Sequence, residues 1–195
     1  MLPSADRRPA EAIDQSTIAM VATIHAPRLD LVPIAPEVIR LLVDGQRDQA
    51  QVVACIAFPG EFPTLDELSG FLPIQLQRME AEPAQRGWMA RFIVVREPGR
   101  QLAGHCGFHG PPATIGRAEI GYTVFTPFRR RGYAKEAATA LREWAFDQGE
   151  REVFASVAPA NAASLAVVRA LGFEQVGEQI DDIDGLELVF VARRA

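Results

Sequence analysis

Two spacings of apolar residues alternate along this chain, and each predicts its own kind of element. Ala134, Ala137, Ala138, Leu141 and Ala145 recur at helical spacing and share one face. They predict a helix from Gly132 to Gln148, with Gly149 where a C-cap glycine belongs. Residues 117–125 before it read as a strand, and so does Glu152 to Val157 after it. That order predicts a right-handed crossover between two parallel strands. Trp88 to Arg96 and Gln101 to Phe108 predict a hairpin around Glu97-Pro98-Gly99-Arg100. Arg28 to Ile34 alternates polar and apolar, with Pro33 confining it to an edge or a strand end. Pro36 to Val43 predicts a short helix, with Pro at its start and Gly45 beyond its end. Thr64-x-x-Glu67 is a capping-box pattern opening a helix that Pro73 should interrupt, with Ile74 to Glu80 resuming it. Asn161 to Leu171 reads as a further helix ended by Gly172. Residues 173–179 and 186–192 read as a closing strand pair around the acidic loop 181–185. Residues 46–63 carry no clear pattern.

These elements sum to a mixed α/β domain: a central, mostly antiparallel sheet with one parallel pair and flanking helices. A chain of 195 residues, 48% of them hydrophobic, suits one domain with a sizeable core. Trp88, Trp144 and the phenylalanines are most simply part of it. Residues 1–25 read as a loosely ordered extension, polar at first and marked by Pro3, Pro9 and Arg7-Arg8. The alternative is that Ile18 to Ile24 adds a strand to a sheet edge, in this chain or in a partner, which makes a homodimer plausible. That run is too short to span a bilayer, and no signal peptide is expected. A net charge of -5 argues against general nucleic-acid binding. Cys55 and Cys106 lack CxxC spacing and there are three histidines, so neither a metal site nor a disulfide framework is expected. The cytoplasm is the expected compartment.

The candidate chemistry starts at Phe128-Arg129-Arg130-Arg131-Gly132-Tyr133-Ala134, between the 117–125 strand and its helix. A helix's first turn leaves N–H groups without intrahelical partners, and the helix dipole adds partial positive charge. A phosphate is well satisfied there, and Gly132 lets the backbone come close to it.

Arg129-x-x-Gly132-x-Ala134 resembles the pyrophosphate loop of the GNAT acetyltransferase superfamily. Val157-x-x-x-Asn161-x-x-Ser164, followed by Leu171-Gly172-Phe173, resembles a second signature of that superfamily. This pattern is typical of the branch that includes the ribosomal-protein N-terminal acetyltransferases. Glu119-Ile120-Gly121-Tyr122, Gly132-Tyr133-Ala134-Lys135-Glu136-Ala137 and Arg28-Leu29-Asp30-Leu31 are similar to further family positions, and so is Leu102-Ala103-Gly104 with Gly107-Phe108. The resemblance spans about residues 26–192 of one domain reaching to residue 195.

The resemblance implies acetyl-CoA as co-substrate and a primary amine, on a small molecule or a protein N-terminus, as acceptor. It implies that the strands at 118–126 and 152–157 splay apart. Pantetheine would enter that opening and bond the free strand edge near Val124, Phe125 and Thr126. Arg130, Gly132, Ala134 and Lys135 would offer N–H groups to the pyrophosphate, within a loop that also holds Tyr133. Arg129 and Arg131 are candidates for charge-assisted contacts.

An amine near pH 7 is mostly ammonium, so its proton needs a destination. Glu119 is the candidate base, acting through water, and a pairing with Arg117 or a cross-strand base is the alternative for it. Ser164 is the candidate proton donor to the departing thiolate, because the Tyr many relatives use one turn on is Val168 here. Asn161 positions the pantetheine arm or a water; the plainer reading is a helix cap. Cys106 raises an acetyl-cysteine intermediate, against a small core residue. His105 and His109 read as satisfied or exposed histidines. Glu61, Asp66, Glu67, Asp181, Asp182 and Asp184 on the acceptor-side segments suggest a cationic acceptor, or else serve solubility. An acetyl-CoA sensor without turnover, or a nucleic-acid patch at 129–131, are the non-enzyme readings.

Overall fold

The computed structural model describes residues 21–182 and 185–194. The extension expected over residues 1–25 lies mostly outside them, but Ile24–His25 forms a two-residue strand, β1, at the sheet edge. The other strands are β2 (Leu29–Pro33), β3 (Arg91–Val95), β4 (Gln101–Phe108), β5 (Ala118–Val124), β6 (Glu152–Val157), β7 (Glu174–Asp181) and β8 (Gly185–Arg193). They make one eight-stranded sheet in the order β1-β2-β3-β4-β5-β6-β8-β7. Every neighbouring pair is antiparallel except β5 and β6, which run parallel. The mixed α/β architecture expected from the sequence is therefore present. The helices are α1 (Pro36–Val43), α2 (Arg47–Ala54), α3 (Leu72–Ala81), α4 (Pro112–Ile115), α5 (Tyr133–Asp147) and α6 (Ala162–Ala170).

The sheet separates two apolar cores. One gathers Leu141, Ala137 and Ala138 of α5 with Val168 of α6 and strand residues such as Ile93 and Val153. The other gathers Ile39 and Leu42 of α1 with Leu72, Met79 and strand residues such as Phe92 and Val94. β3 is buried along its whole length because helices cover both of its faces.

On the α5 side of β3, Arg91 is 1% exposed. Its guanidinium donates to the carbonyls of Ala22, Leu31 and Gly87 and lies over the Trp144 ring. Burial pulls it down to about 10, against an opposing influence from Cys106, so it stays charged at neutral pH.

Two local expectations change. The helix expected to break at Pro73 runs on, with a wider turn at Glu67–Phe71 where the Leu72 N–H reaches back to the Glu67 carbonyl. A π turn removes the register conflict that a proline ring creates with the preceding turn. The strand expected from Trp88 begins at Arg91, because Pro83–Trp88 closes into a 3-10 helix. The Thr64 capping box does form: the Thr64 N–H donates to Glu67 Oε2 at 2.7 Å, and the Glu67 N–H to Thr64 Oγ1 at 3.3 Å.

Candidate active site

β5 and β6 pair only at Ala118 with Val153 and Glu119 with Phe154. Beyond Glu119 the two strands part. Strand residues point their backbone groups alternately to the two sides. The Phe125 N–H donates to the Ala103 carbonyl of β4 at 2.8 Å, which fixes the phase. Tyr122 and Val124 therefore turn their backbone groups into the opening.

Gly132, at φ +81°, is the N-cap of α5 and turns the chain from the loop into the helix. The first-turn N–H groups of Tyr133, Ala134 and Lys135 face outward from this end. Arg28 fastens the loop from the β1–β2 side. Its N–H donates to Glu136 Oε1 at 2.6 Å, its Nε to Oε2 at 2.8 Å, and one Nη to the Arg131 carbonyl at 3.0 Å.

A cavity of about 520 Å³ runs along this surface, lined by Val124, Arg129, Arg130, Gly132, Tyr133, Ala134, Lys135, Asn161 and Ser164 among others. A free strand edge, a glycine turn and an open helix N-terminus suit a ligand with an amide-bearing arm and a pyrophosphate, which acetyl-CoA is. Three residues expected there lie elsewhere. Phe125 has its N–H committed to β4 and packs its ring against Phe62. Thr126 opens a short 3-10 turn whose carbonyl accepts from the Arg129 N–H. Arg131 sets its guanidinium over the Phe128 ring. Arg129 lines the cavity, but its Nε donates to the Val124 carbonyl at 2.9 Å, one of the edge groups expected to meet the ligand.

A second cavity, about 570 Å³, opens on the other side of the splay. Tyr122, Thr123, Asn161 and Ser164 line both, so the two cavities meet there. Asn161 does cap α6, its Oδ1 accepting from the Ser164 N–H at 3.0 Å, and it faces both cavities as well. Val168 is 1% exposed, packed in the core, so that position does not reach the cavities.

Glu119 does not line the second cavity. Arg117 Nε donates to its Oε2 at 2.8 Å, and the Ser156 hydroxyl donates to its Oε1. Gln179 Nε2 donates to Ser156 Oγ at 3.1 Å and to Glu187 Oε2 at 2.9 Å. Ser156 and Glu187 do line the cavity, and neither stands out in the sequence. Tyr122 also escaped sequence reasoning. Its hydroxyl is buried and completes no hydrogen bond of good geometry among the described residues. Burial pushes the phenol upward, an effect tempered by the neighbouring Ser164 side chain.

His105 stacks on Phe71 and approaches Glu67 Oε1 at 3.5 Å. Burial raises the Glu67 carboxyl, but hydrogen bonds from His105 and Thr64 outweigh it and leave it below the ordinary range. Glu61, Asp66, Glu67, Asp181 and Asp182 are all absent from the cavity wall, and Asp184 lies outside the described residues.

Cys106 is 3% exposed, and burial pushes its thiol up to about 12 against the pull of Arg91. It is protonated at neutral pH, which disfavours an acetyl-cysteine intermediate. Native protein treated with iodoacetamide at pH 8 should label exposed Cys55 and leave Cys106 unmodified until unfolding. Mass mapping showing Cys106 labelled in the native state would refute this.

The family described as acetyltransferase (GNAT) domain matches residues 28–174. Uncharacterized N-acetyltransferase p20 of Bacillus licheniformis is 30% identical over 92 residues, 47% of this chain and 52% of that one. Aminoglycoside N(6')-acetyltransferase type 1 of Salmonella typhimurium is 40% identical over 55 residues, 28% of this chain and 38% of that one. The chain thus spans about half or less of these two curated relatives. The solved structure of a putative ribosomal-protein-serine acetyltransferase from Vibrio cholerae is 22% identical, with a TM-score of 0.62, covering 90% of this chain and 99% of that one. That likeness speaks for the fold.

Proposed function

The chain belongs to the acetyltransferase (GNAT) domain family, and we propose that it moves an acetyl group from acetyl-CoA to a primary amine by direct attack in a ternary complex. The observation that carries this reading is the meeting of two cavities at Tyr122, Asn161 and Ser164, one lined by a helix N-terminus and glycine turn. The two relatives, both named N-acetyltransferases, support it.

Bound acetyl-CoA supplies an activated thioester. The chain's residues hold it and manage two protons. Val124, Arg130, Gly132, Tyr133, Ala134 and Lys135 form the binding surface on the donor side. On the acceptor side, Glu187 is the carboxylate on the cavity wall; Gln179 donates to its Oε2, and its Oε1 makes no hydrogen bond among the described residues. It takes the proton of the incoming ammonium. Glu119 stands behind Ser156 and acts on the cavity through that hydroxyl. As the amine nitrogen bonds to the acetyl carbon, the carbon–sulfur bond breaks, and the sulfur takes a proton from Ser164. Tyr122, beside Ser164, returns a proton to that oxygen and takes in exchange the second proton that the nitrogen sheds on becoming an amide.

Calorimetric titration with acetyl-CoA, followed by an amine screen that reads released thiol, tests the reading. Micromolar binding with transfer is expected, and Ser164→Ala should lower kcat roughly tenfold with acetyl-CoA affinity kept. Full turnover in that variant would remove Ser164 from the mechanism. Binding without transfer to any amine would favour a sensor, and no binding would sink the reading.

A further inference from the structure

Several polar groups on the acceptor-side cavity lack the partner their chemistry calls for. Gln75, on α3, is 7% exposed and lines the cavity, yet its amide makes no hydrogen bond among the described residues. Its amide atoms reach the cavity rather than being sealed in the core, so a ligand there can complete them. Arg78, one turn further along α3, lines the same wall. Its guanidinium makes one hydrogen bond, from a single Nη to the His109 carbonyl at 2.9 Å, and pairs with no carboxylate among the described residues. His105 and His109 share this wall, and Glu187 is the carboxylate lining the cavity. A polycation would press against Arg78, and Glu61, Asp66, Glu67, Asp181 and Asp182 do not line the cavity.

We propose that the acceptor is a small amine bearing an anionic group, a carboxylate, which Arg78 and Gln75 bind while the amine faces Glu187 and Ser164. This rests on the acetyltransferase reading above and names its substrate class. The guanidinium offers two parallel N–H donors to the two carboxylate oxygens, and the Gln75 amide offers a third to the same group. A cavity of about 570 Å³ suits a small molecule.

The test uses amino carboxylates paired with their own carboxamides, a polyamine, and a peptide with acidic residues behind its N-terminus. Binding to CoA-saturated protein is read by calorimetry, and transfer by thiol release. The wild type should prefer each carboxylate over its carboxamide by about tenfold or more in kcat/KM, a usual size for a charge-assisted pair. Arg78→Gln should collapse that ratio toward one by raising KM, with kcat little involved, and Arg78→Glu should reverse it. Equal rates within pairs, preference for the polyamine, a ratio unmoved in Arg78→Gln, or a carboxylate set that neither binds nor reacts overturns the proposal. If only the acidic peptide reacts, the small-molecule acceptor is overturned, even where Arg78 dependence persists. Acetyl-CoA binding separates the two failures. Its loss defeats the acetyltransferase reading, whereas intact binding without Arg78 dependence defeats only this inference.

Discussion

Replacing Gly132 with Asp will lower acetyl-CoA affinity by at least about a hundredfold, enough to remove it from ordinary calorimetric detection. Two effects act together. Gly132 holds φ +81°, a left-handed conformation that costs other residues roughly 1–2 kcal/mol. A Cβ there would also stand 3.3 Å from an Arg28 Nη, the group that fastens the loop. The larger effect is charge. The new carboxylate would sit where first-turn N–H groups and the dipole's positive end await the pyrophosphate, repelling it and competing for the same donors. Gly132→Ala separates the two, carrying the strain without the charge, and should lose clearly less affinity. Thermal unfolding of both variants checks that the fold persists. Undiminished binding in Gly132→Asp would place the pyrophosphate elsewhere.

Glu187→Gln should cut kcat by about two to three orders of magnitude at neutral pH, the usual worth of a positioned base. The amide keeps the shape and still meets Gln179, so acetyl-CoA affinity should not change. At high pH the amine arrives without its extra proton and needs no base, so the deficit should narrow as pH rises. Glu119→Gln should cost less in kcat and more in stability. Both Glu119 oxygens are engaged, and the change leaves Arg117 without its ion-pair partner. Steady-state pH–rate profiles of the two variants decide the matter. A nearly normal Glu187→Gln beside a crippled Glu119→Gln would give the base role to Glu119.

The loop and helix turn proposed to hold the donor were readable because they are local, although Phe125, Thr126 and Arg131, read with them, lie off that cavity. One strand, one loop and the first turn of one helix are contiguous in the chain, and a short motif can encode that. The strong elements were legible for a similar reason: α5 has a full apolar face and a glycine at either end, and β6 falls on the expected residues. α2 went unseen because Ala50 is its only buried residue, while Val52 and Val53 face solvent and blur any stripe. The acceptor half was opaque because it is assembled from distant pieces. Gln75 comes from α3, Tyr122 from β5, Ser156 from β6 and Glu187 from β8, and no spacing links them. The same distance misled the charge argument. Glu67 was expected both to cap with Thr64 and to lend charge to the acceptor side, but the cap and distant His105 take up its carboxylate.

The two rungs between β5 and β6 have a mechanical meaning. Among the described residues they are the only backbone ladder that stitches β1 through β5 to β6, β8 and β7. A chain that bonded the bare β5 edge would serve as a ninth strand for part of the sheet's width. In that sense the co-substrate is a structural member as well as a reactant. Under the acetyltransferase proposal, a donor paired along the β5 edge would tie the two halves together. Such binding adds to folding stability by mass action, about 2.7 kcal/mol at a hundred times the dissociation constant. On that proposal, supply of donor would set how firmly the protein holds its own shape.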